Sequence, residues 1–412
     1  MGTAIPVETI RPLKHLGLNS LWVLLARLGA QALSVIFTAL IARRLGASGF
    51  GEYALITSIV FLGNVLTTFG TDSLLIRQIA RTHATESNLL STIFWTQIAL
   101  SALFIALVVP FGSNTPALPL YTLALLPLAF YSIYSAILRG FERMDLYLLL
   151  NLAAAALQLV CGVIIFILGA DLVALMLALL VSQALAAALA WALVRRSTGA
   201  SRIVWRMPHT YKSTLRAALP FALLTACALI YQRMGIFAMG TISGNDTTGW
   251  FSAAARIVEA LKIVPQALLG ALFPMLARSA VGNHSTRLTR MSMELSVGFC
   301  LIAAALLALL AGPLVYFIYG DSFSTAIRAL QILAWSLVPY ALTANITLEM
   351  ISQGHEWPVF RLTLIAVLIA LLAFALLIPA LGLIGACWAS LIAESAQAVL
   401  FVAANRKGVR AG

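Results

Sequence analysis

From Arg43 to Arg81 the chain reads RRLGASGFGEYALITSIVFLGNVLTTFGTDSLLIRQIAR. A basic pair leads into glycines at 46, 49 and 51, then an apolar run, then a second basic cluster at Arg77 and Arg81. The apolar run is one helix long. Hydrocarbon offers no partner for backbone N–H and C=O groups, so a segment this apolar must satisfy them internally, as a helix. Cations at both ends then place it across a bilayer, from one headgroup layer to the other.

Composition extends this reading to the whole chain. Of its 412 residues 62% are hydrophobic and 10% charged, with a mean hydropathy of +1.00. A soluble globule has roughly 45–50% apolar and about 25% charged residues, so this is an all-α polytopic membrane protein. Twelve spans are predicted, at 16–42, 51–76, 88–110, 118–138, 146–168, 172–194, 217–240, 250–277, 292–318, 327–351, 359–379 and 383–404. The first contains Arg27 and leads straight into the second, so it is not read as a cleavable signal. Cys161, Cys227, Cys300 and Cys387 fall inside apolar segments without CxxC spacing, which argues against disulfides or a metal site.

The net charge of +12 would point to nucleic acid in a soluble protein; here the positive-inside rule accounts for it and no nucleic acid is expected. One set of span ends carries nineteen of the 26 Lys and Arg, from Arg11 and Lys14 to Arg406, Lys407 and Arg410. The opposite ends carry Arg43, Arg44 and Arg328, beside Asp171, Asp246 and Asp321. Both termini are therefore expected in the cytoplasm.

The basic segment 195–216 divides the spans six and six. Residues 50–81 and 248–278 read alike, with Gly51 matching Gly249, Tyr53 matching Phe251 and Arg81 matching Arg278. Six spans separate the copies, so both cross in the same direction. A parallel repeat predicts two lobes, 1–194 and 217–412, joined by a cytoplasmic loop at 195–216 and enclosing a central cavity.

Polar groups within the spans are the candidate site. Arg27, Gln31, Ser34 and Thr38 form one stripe on the first span, and Thr57, Asn64, Thr68 and Thr71 share a face of the second. The eighth carries Arg256, Glu259, Lys262 and Gln266 with Pro265, expected to kink it; Arg233 lies in the seventh and Glu394 in the twelfth. A cation at mid-depth costs about 2.5–3.5 kcal/mol on insertion scales, so it should face a cavity or a partner. Buried pairing or snorkelling is the structural alternative. Arg27, Gln31, Asn64, Arg233, Arg256 and Lys262 are the candidate substrate-binding residues, Arg27 being read as mid-depth. Their positive balance favours an anionic head, and arginine grips phosphate oxygens bidentately. Glu259 and Glu394 are the ion-coupling candidates. Glu259 stands three residues from both Arg256 and Lys262 and is expected to pair with either. Glu394 has no cation near it in sequence and is expected to be a neutral, hydrogen-bonded group.

No P-loop and no HExxH zinc pattern occurs, and no cofactor is expected. A membrane-embedded polymerase or ligase would need placed carboxylates on a longer outer loop, which counts against an enzyme.

Arg44-Leu-Gly-Ala-Ser-Gly-Phe-Gly-Glu-Tyr53 resembles the RxLGxxxFGxY signature of polysaccharide-unit flippases in the multidrug/oligosaccharidyl-lipid/polysaccharide (MOP) exporter superfamily. Arg139-Gly-Phe-Glu-Arg143, the LFPMLAR passage ending at Arg278, and Tyr319-Gly-Asp-Ser-Phe323 followed by AIRALQILAW are similar to further family motifs. The resemblance implies a flippase of the bacterial inner membrane for lipid-linked oligosaccharide, carried on undecaprenyl pyrophosphate and used in surface polysaccharide biosynthesis. Candidate protein partners are polysaccharide polymerase and glycosyltransferases. A drug/cation antiporter of the same superfamily is the alternative, disfavoured by the positive balance. Moving an anionic head outward across an inside-negative membrane is favourable by about 2.3 kcal/mol per charge per 100 mV, so the potential is expected to suffice as driving force, with Glu394→Gln keeping most transport.

Reporter fusions after Arg81, Arg143, Arg206 and Arg290 should report cytoplasm, and those after Gly112 and Gly244 the opposite side. One robust reversal would overturn the six-plus-six topology.

Overall fold

The computed structural model describes residues 13–82, 84–112, 116–169, 171–197, 211–279, 284–353 and 355–411, and no strand occurs among them. The helices are α1 (Leu13–Thr68), α2 (Thr71–Thr82), α3 (Ser87–Val108), α4 (Ala117–Thr122), α5 (Leu125–Gly140), α6 (Met144–Ile167) and α7 (Leu172–Ser197). They continue with α8 (Tyr211–Ile242), α9 (Asn245–Ser279), α10 (His284–Leu309), α11 (Ala311–Tyr319), α12 (Ala326–Leu333), α13 (Leu337–Ser352) and α14 (Glu356–Ala411). Both α1 and α14 double back, at Gly46 and Gly382. Counting each leg, and taking α4 with α5 and α12 with α13, the described residues make twelve crossings. Ten of them lie in the eight helices long and apolar enough to span a membrane; α8 and α9, which carry the charged residues, are the other two.

The sequence places a loop between the first two spans, but α1 runs through it. Gly46 turns the chain within α1 at φ 67 and ψ −172, a conformation open to glycine because it has no Cβ. The second span ends earlier than its apolar pattern suggests. Phe69 and Gly70 take left-handed φ values of 48 and 67, breaking the helix after Thr68, and α2 restarts at Thr71. α9 continues through Pro265 to Ser279. Part of the 195–216 segment is helical, since α7 extends to Ser197 and α8 begins at Tyr211; residues 198–210 lie outside the described set.

The α1–α7 and α8–α14 halves meet chiefly where α1 packs on α8 and α9. At the Gly46 end the two repeat-matched glycines meet each other. A Cβ on Gly51 would lie 1.9 Å from Asn245 O and 2.8 Å from Gly249 N, and one on Gly249 would lie 2.0 Å from Ala47 O. Equivalent positions touch only near a symmetry axis, as expected for a parallel repeat. Around this crossing Phe50, Tyr53, Tyr319 and Phe323 form a buried aromatic cluster, with Phe50 and Phe323 edge to face at 5.8 Å between centroids. Arg43 donates from Nε to Ile318 O at 3.0 Å and from Nη2 to Phe317 O, satisfying carbonyls at the end of α11. Trp250 Nε1 donates to Ser322 O at 3.1 Å.

The exposed residues of the first leg of α14 include Leu364, Leu368, Leu371, Leu372 and Leu376, as expected for a helix facing lipid.

Gly51→Ala and Gly249→Ala should each push the crossing apart and lower the unfolding temperature of the detergent-purified protein, by the equivalent of about 1–3 kcal/mol for overpacking. Gly298→Ala, inside α10 with nothing within 4 Å of its Cβ, serves as the control and should leave the unfolding temperature unchanged or raise it slightly.

Candidate functional site

α9 supplies the spine of the site. Arg256, Glu259 and Lys262 recur at three-residue spacing, which keeps them on neighbouring turns of one face. At 1.5 Å per residue Arg256 lies about 17 Å from the Asn245 end, near mid-depth of a ~30 Å core, and Lys262 about 26 Å, toward its far side.

Glu259 meets Arg233 across the α8–α9 interface, with Nη1 to Oε1 at 3.9 Å. Lys262 donates to Glu394 on α14, with Nζ to Oε1 at 2.7 Å and side chains 19% and 12% exposed. The expected pairing of Glu259 with its own-helix neighbours is therefore corrected. Side chains three residues apart lie side by side, but partners on facing helices meet tip to tip in the bundle interior. Glu394, without a cation near it in sequence, likewise gains one on folding, from 132 residues away.

Aromatic rings complete the surroundings. Lys262 Nζ stands 4.4 Å from the centre of the Tyr340 ring, and Gln266 Nε2 donates to the Tyr340 hydroxyl at 2.6 Å. Arg233 Cζ stands 5.5 Å from the centre of the Phe61 ring. Tyr340 and Phe61 are invisible as site residues in sequence, where each reads as ordinary span content; Pro339 before Tyr340 is the one local irregularity.

Once these pairs are formed, Arg256 is the cation without a carboxylate partner among the described residues. Its Nε is buried with no acceptor, and so is that of Arg233. Asn64 Oδ1 and Ser58 Oγ on α1, Tyr231 OH on α8 and Ser252 Oγ on α9 are also buried without partners. Unmet buried polar groups are rare and costly. They gather where the halves meet, and three cations against two carboxylates leave the group at +1.

Arg27 is not brought into this group. Its side chain is exposed, and it lies nineteen residues before the Gly46 turn, about 29 Å along the helix. That places it near the far headgroup layer of a ~30 Å core and not at mid-depth. Gln31, one turn further in, is half-buried.

Removing one member of the Lys262–Glu394 pair strands a charge, which costs about 3–5 kcal/mol for a buried pair. Glu394→Gln, expected from the sequence alone to keep most transport, is thus expected instead to destabilise the protein strongly, and Lys262→Met in the same chain to recover most of the loss. Equal loss in single and double variants, read by thermal unfolding, would exclude the pair as the cause.

No curated protein matches the sequence. Among solved structures, the fold is similar to the lipid II flippase MurJ in an inward closed conformation, at TM-score 0.77 and 12% identity over 92% of this chain and 86% of that one. It is similar to an outward-facing multidrug resistance MATE family transporter of the MOP superfamily, at TM-score 0.73 and 16% identity over 98% and 99% of the chains. A MOP superfamily transporter from Pyrococcus furiosus, described as having reverse polarity of its binding pocket, follows at TM-score 0.69 and 17% identity over 95% of each chain. At these identities the likeness is one of fold. The sequence itself matches the polysaccharide biosynthesis protein family over residues 16–280, more than half of the chain. This twelve-crossing, multi-pass membrane protein belongs to the polysaccharide biosynthesis protein family, on a fold shared with MOP-type transporters and flippases.

Proposed function

We propose that the protein is a flippase that carries a lipid-linked oligosaccharide, on undecaprenyl pyrophosphate, from the cytoplasmic to the outer leaflet of the bacterial inner membrane by alternating access. The observation that carries this reading is the pair of buried, acceptor-less guanidinium donors on Arg233 and Arg256 in a group of net positive charge. Sugar hydroxyls and a pyrophosphate cannot cross hydrocarbon unsatisfied, each buried group costing several kcal/mol. Arginine meets phosphate oxygens with a planar fork of donors. The 3.9 Å Arg233–Glu259 contact is long for a charge-assisted bond, so a phosphate oxygen competes for Arg233 on favourable terms.

The polyprenyl tail stays in lipid while the polar head occupies the space between the lobes. The backbone crossing of Gly51 and Gly249 closes the Gly46 end, which the positive-inside rule assigns to the outside. Loading then takes place from the cytoplasm, where Arg27 stands at headgroup level to meet the incoming pyrophosphate. Lys262, held by Glu394 and stacked on Tyr340, lies beyond Arg256 on that path. The positive sign of the group is also what separates this reading from a drug/cation antiporter on the same fold. Supporting contacts with polymerase or glycosyltransferases belong to the same reading.

The test is binding of a polyprenyl-pyrophosphate oligosaccharide to the purified protein in nanodiscs. A charge-assisted hydrogen bond contributes about 1.5–3 kcal/mol, so Arg256→Ala should weaken binding roughly tenfold to a hundredfold. Arg256→Lys should recover part of it. Equal affinity for the oligosaccharide on an uncharged lipid, or tighter binding of an organic cation, would overturn the reading. In cells, loss of the gene should leave the lipid-linked unit on the cytoplasmic face.

A further inference from the structure

Asp72 is a carboxylate that the functional reading does not use. It lies in the first turn of α2, directly after the Phe69–Gly70 break. Its Oδ1 accepts from Ser132 Oγ on α5 at 2.6 Å and, more weakly, from Gln97 Nε2 on α3 at 3.4 Å. Gln97 Nε2 also donates to Thr71 Oγ1 at 2.9 Å. Gln97 and Thr71 are fully buried and Ser132 nearly so. Ser132 lies eight residues inside the Gly140 end of α5, about 12 Å into the span, so the carboxylate enters the membrane interior from the basic end.

The contrast with the two expected ion-coupling carboxylates is chemical. Glu259 and Glu394 face Arg233 and Lys262, and a proton on either would strand a cation. Asp72 belongs to no ion pair among the described residues; its direct side-chain partners are a hydroxyl and an amide. The surrounding charges are few. Arg139 on α5 acts on it through space, with its own Nε buried and without an acceptor. On α2 itself Arg77 and Arg81 are exposed, as is Arg216 on α8, while α3 offers Gln97 and Ser101.

A second observation points to the ligand. Gln97 Oε1 is fully buried with no donor, and Ser101 Oγ, one turn along α3, is also buried and unpaired. Beside the ionised carboxylate this pocket has an acceptor to spare. One proton on Asp72 adds a donor to this acceptor-rich pocket and removes an unpaired negative charge from the interior in the same step.

We infer that Asp72, with Gln97 and Ser132, is a proton-binding site of the N-terminal lobe that ties lobe movement to pH. This rests on the alternating-access reading above. The site stands at a break between α1 and α2, and α2 packs on α5 of its own lobe and on α8 of the other. Binding H⁺ from water at the basic end neutralises the first turn of α2, and releasing it restores the charge. A change at this hinge is transmitted to α8, which carries Arg233.

The experiment needs no substrate. Spin labels at Ser48 and Asn245, exposed positions on opposite lobes beside the Gly51–Gly249 crossing, report their separation in a cysteine-free full-length protein across a pH series. The wild type should show two distance populations that exchange with pH. Asp72→Asn, an isosteric neutral variant, should hold one population at every pH, and Asp72→Glu should keep the exchange with a moved midpoint. Gln97→Leu should shift the midpoint as well. An exchange unchanged in Asp72→Asn, or a wild type with no pH response, overturns the inference. Pyrophosphate binding in the assay above is read separately, so either proposal fails without the other.

Discussion

The structure depends on two helices touching backbone to backbone. At the Gly46 end α1 and α9 approach until a Cβ on either Gly51 or Gly249 would sit within about 2 Å of a carbonyl oxygen. In lipid no hydrophobic force drives helices together, because the acyl chains are as apolar as the side chains. Close packing of small residues supplies the attraction, and here it falls where the two halves of the repeat meet. The aromatic cluster at Phe50 and Phe323 and the Arg43 bonds to the carbonyls of α11 assemble around that contact, so one end of the inter-lobe space is shut by main-chain geometry.

Below this closure polarity rises and symmetry breaks down. The first half contributes Phe61, Asn64 and Ser58 to the interface, all neutral, while α8 and α9 contribute every cation of the site. Each carboxylate is matched to a cation on another helix, which holds α8, α9 and α14 in register by electrostatics as well as by packing. The surplus charge is left on Arg256. A group so arranged is held in its pairs and leaves one cation, Arg256, without a carboxylate among the described residues.

Much of the fold was legible along the chain. Twelve crossings, the six-plus-six division and the parallel repeat follow from the spacing of apolar runs and basic ends, because hydrocarbon allows a single solution for the backbone. Boundaries were less legible where a glycine decided them. Gly46 looks like part of a loop in the sequence and proves to be a turn inside α1, and the run of apolar residues conceals the break at Phe69. Asp72, inside the predicted 51–76 span, is not singled out by the sequence, because nothing in the local pattern marks Ser132 and Gln97 as its partners.

The sequence by itself determined that this chain lives in a membrane, how often it crosses, and that its interior charges are mostly positive, since hydropathy and charge are properties of residues and short segments. The tertiary structure decided which charges meet. Helical periodicity sets the face on which Glu259, Lys262 and Glu394 lie but not the helix each face will oppose, and the Lys262–Glu394 pair spans 132 residues. Coulombic pairing falls off over a few ångströms, so its outcome belongs to the packing of helices distant in sequence. The same holds for Asp72, whose setting is made by three helices that the chain brings together only on folding.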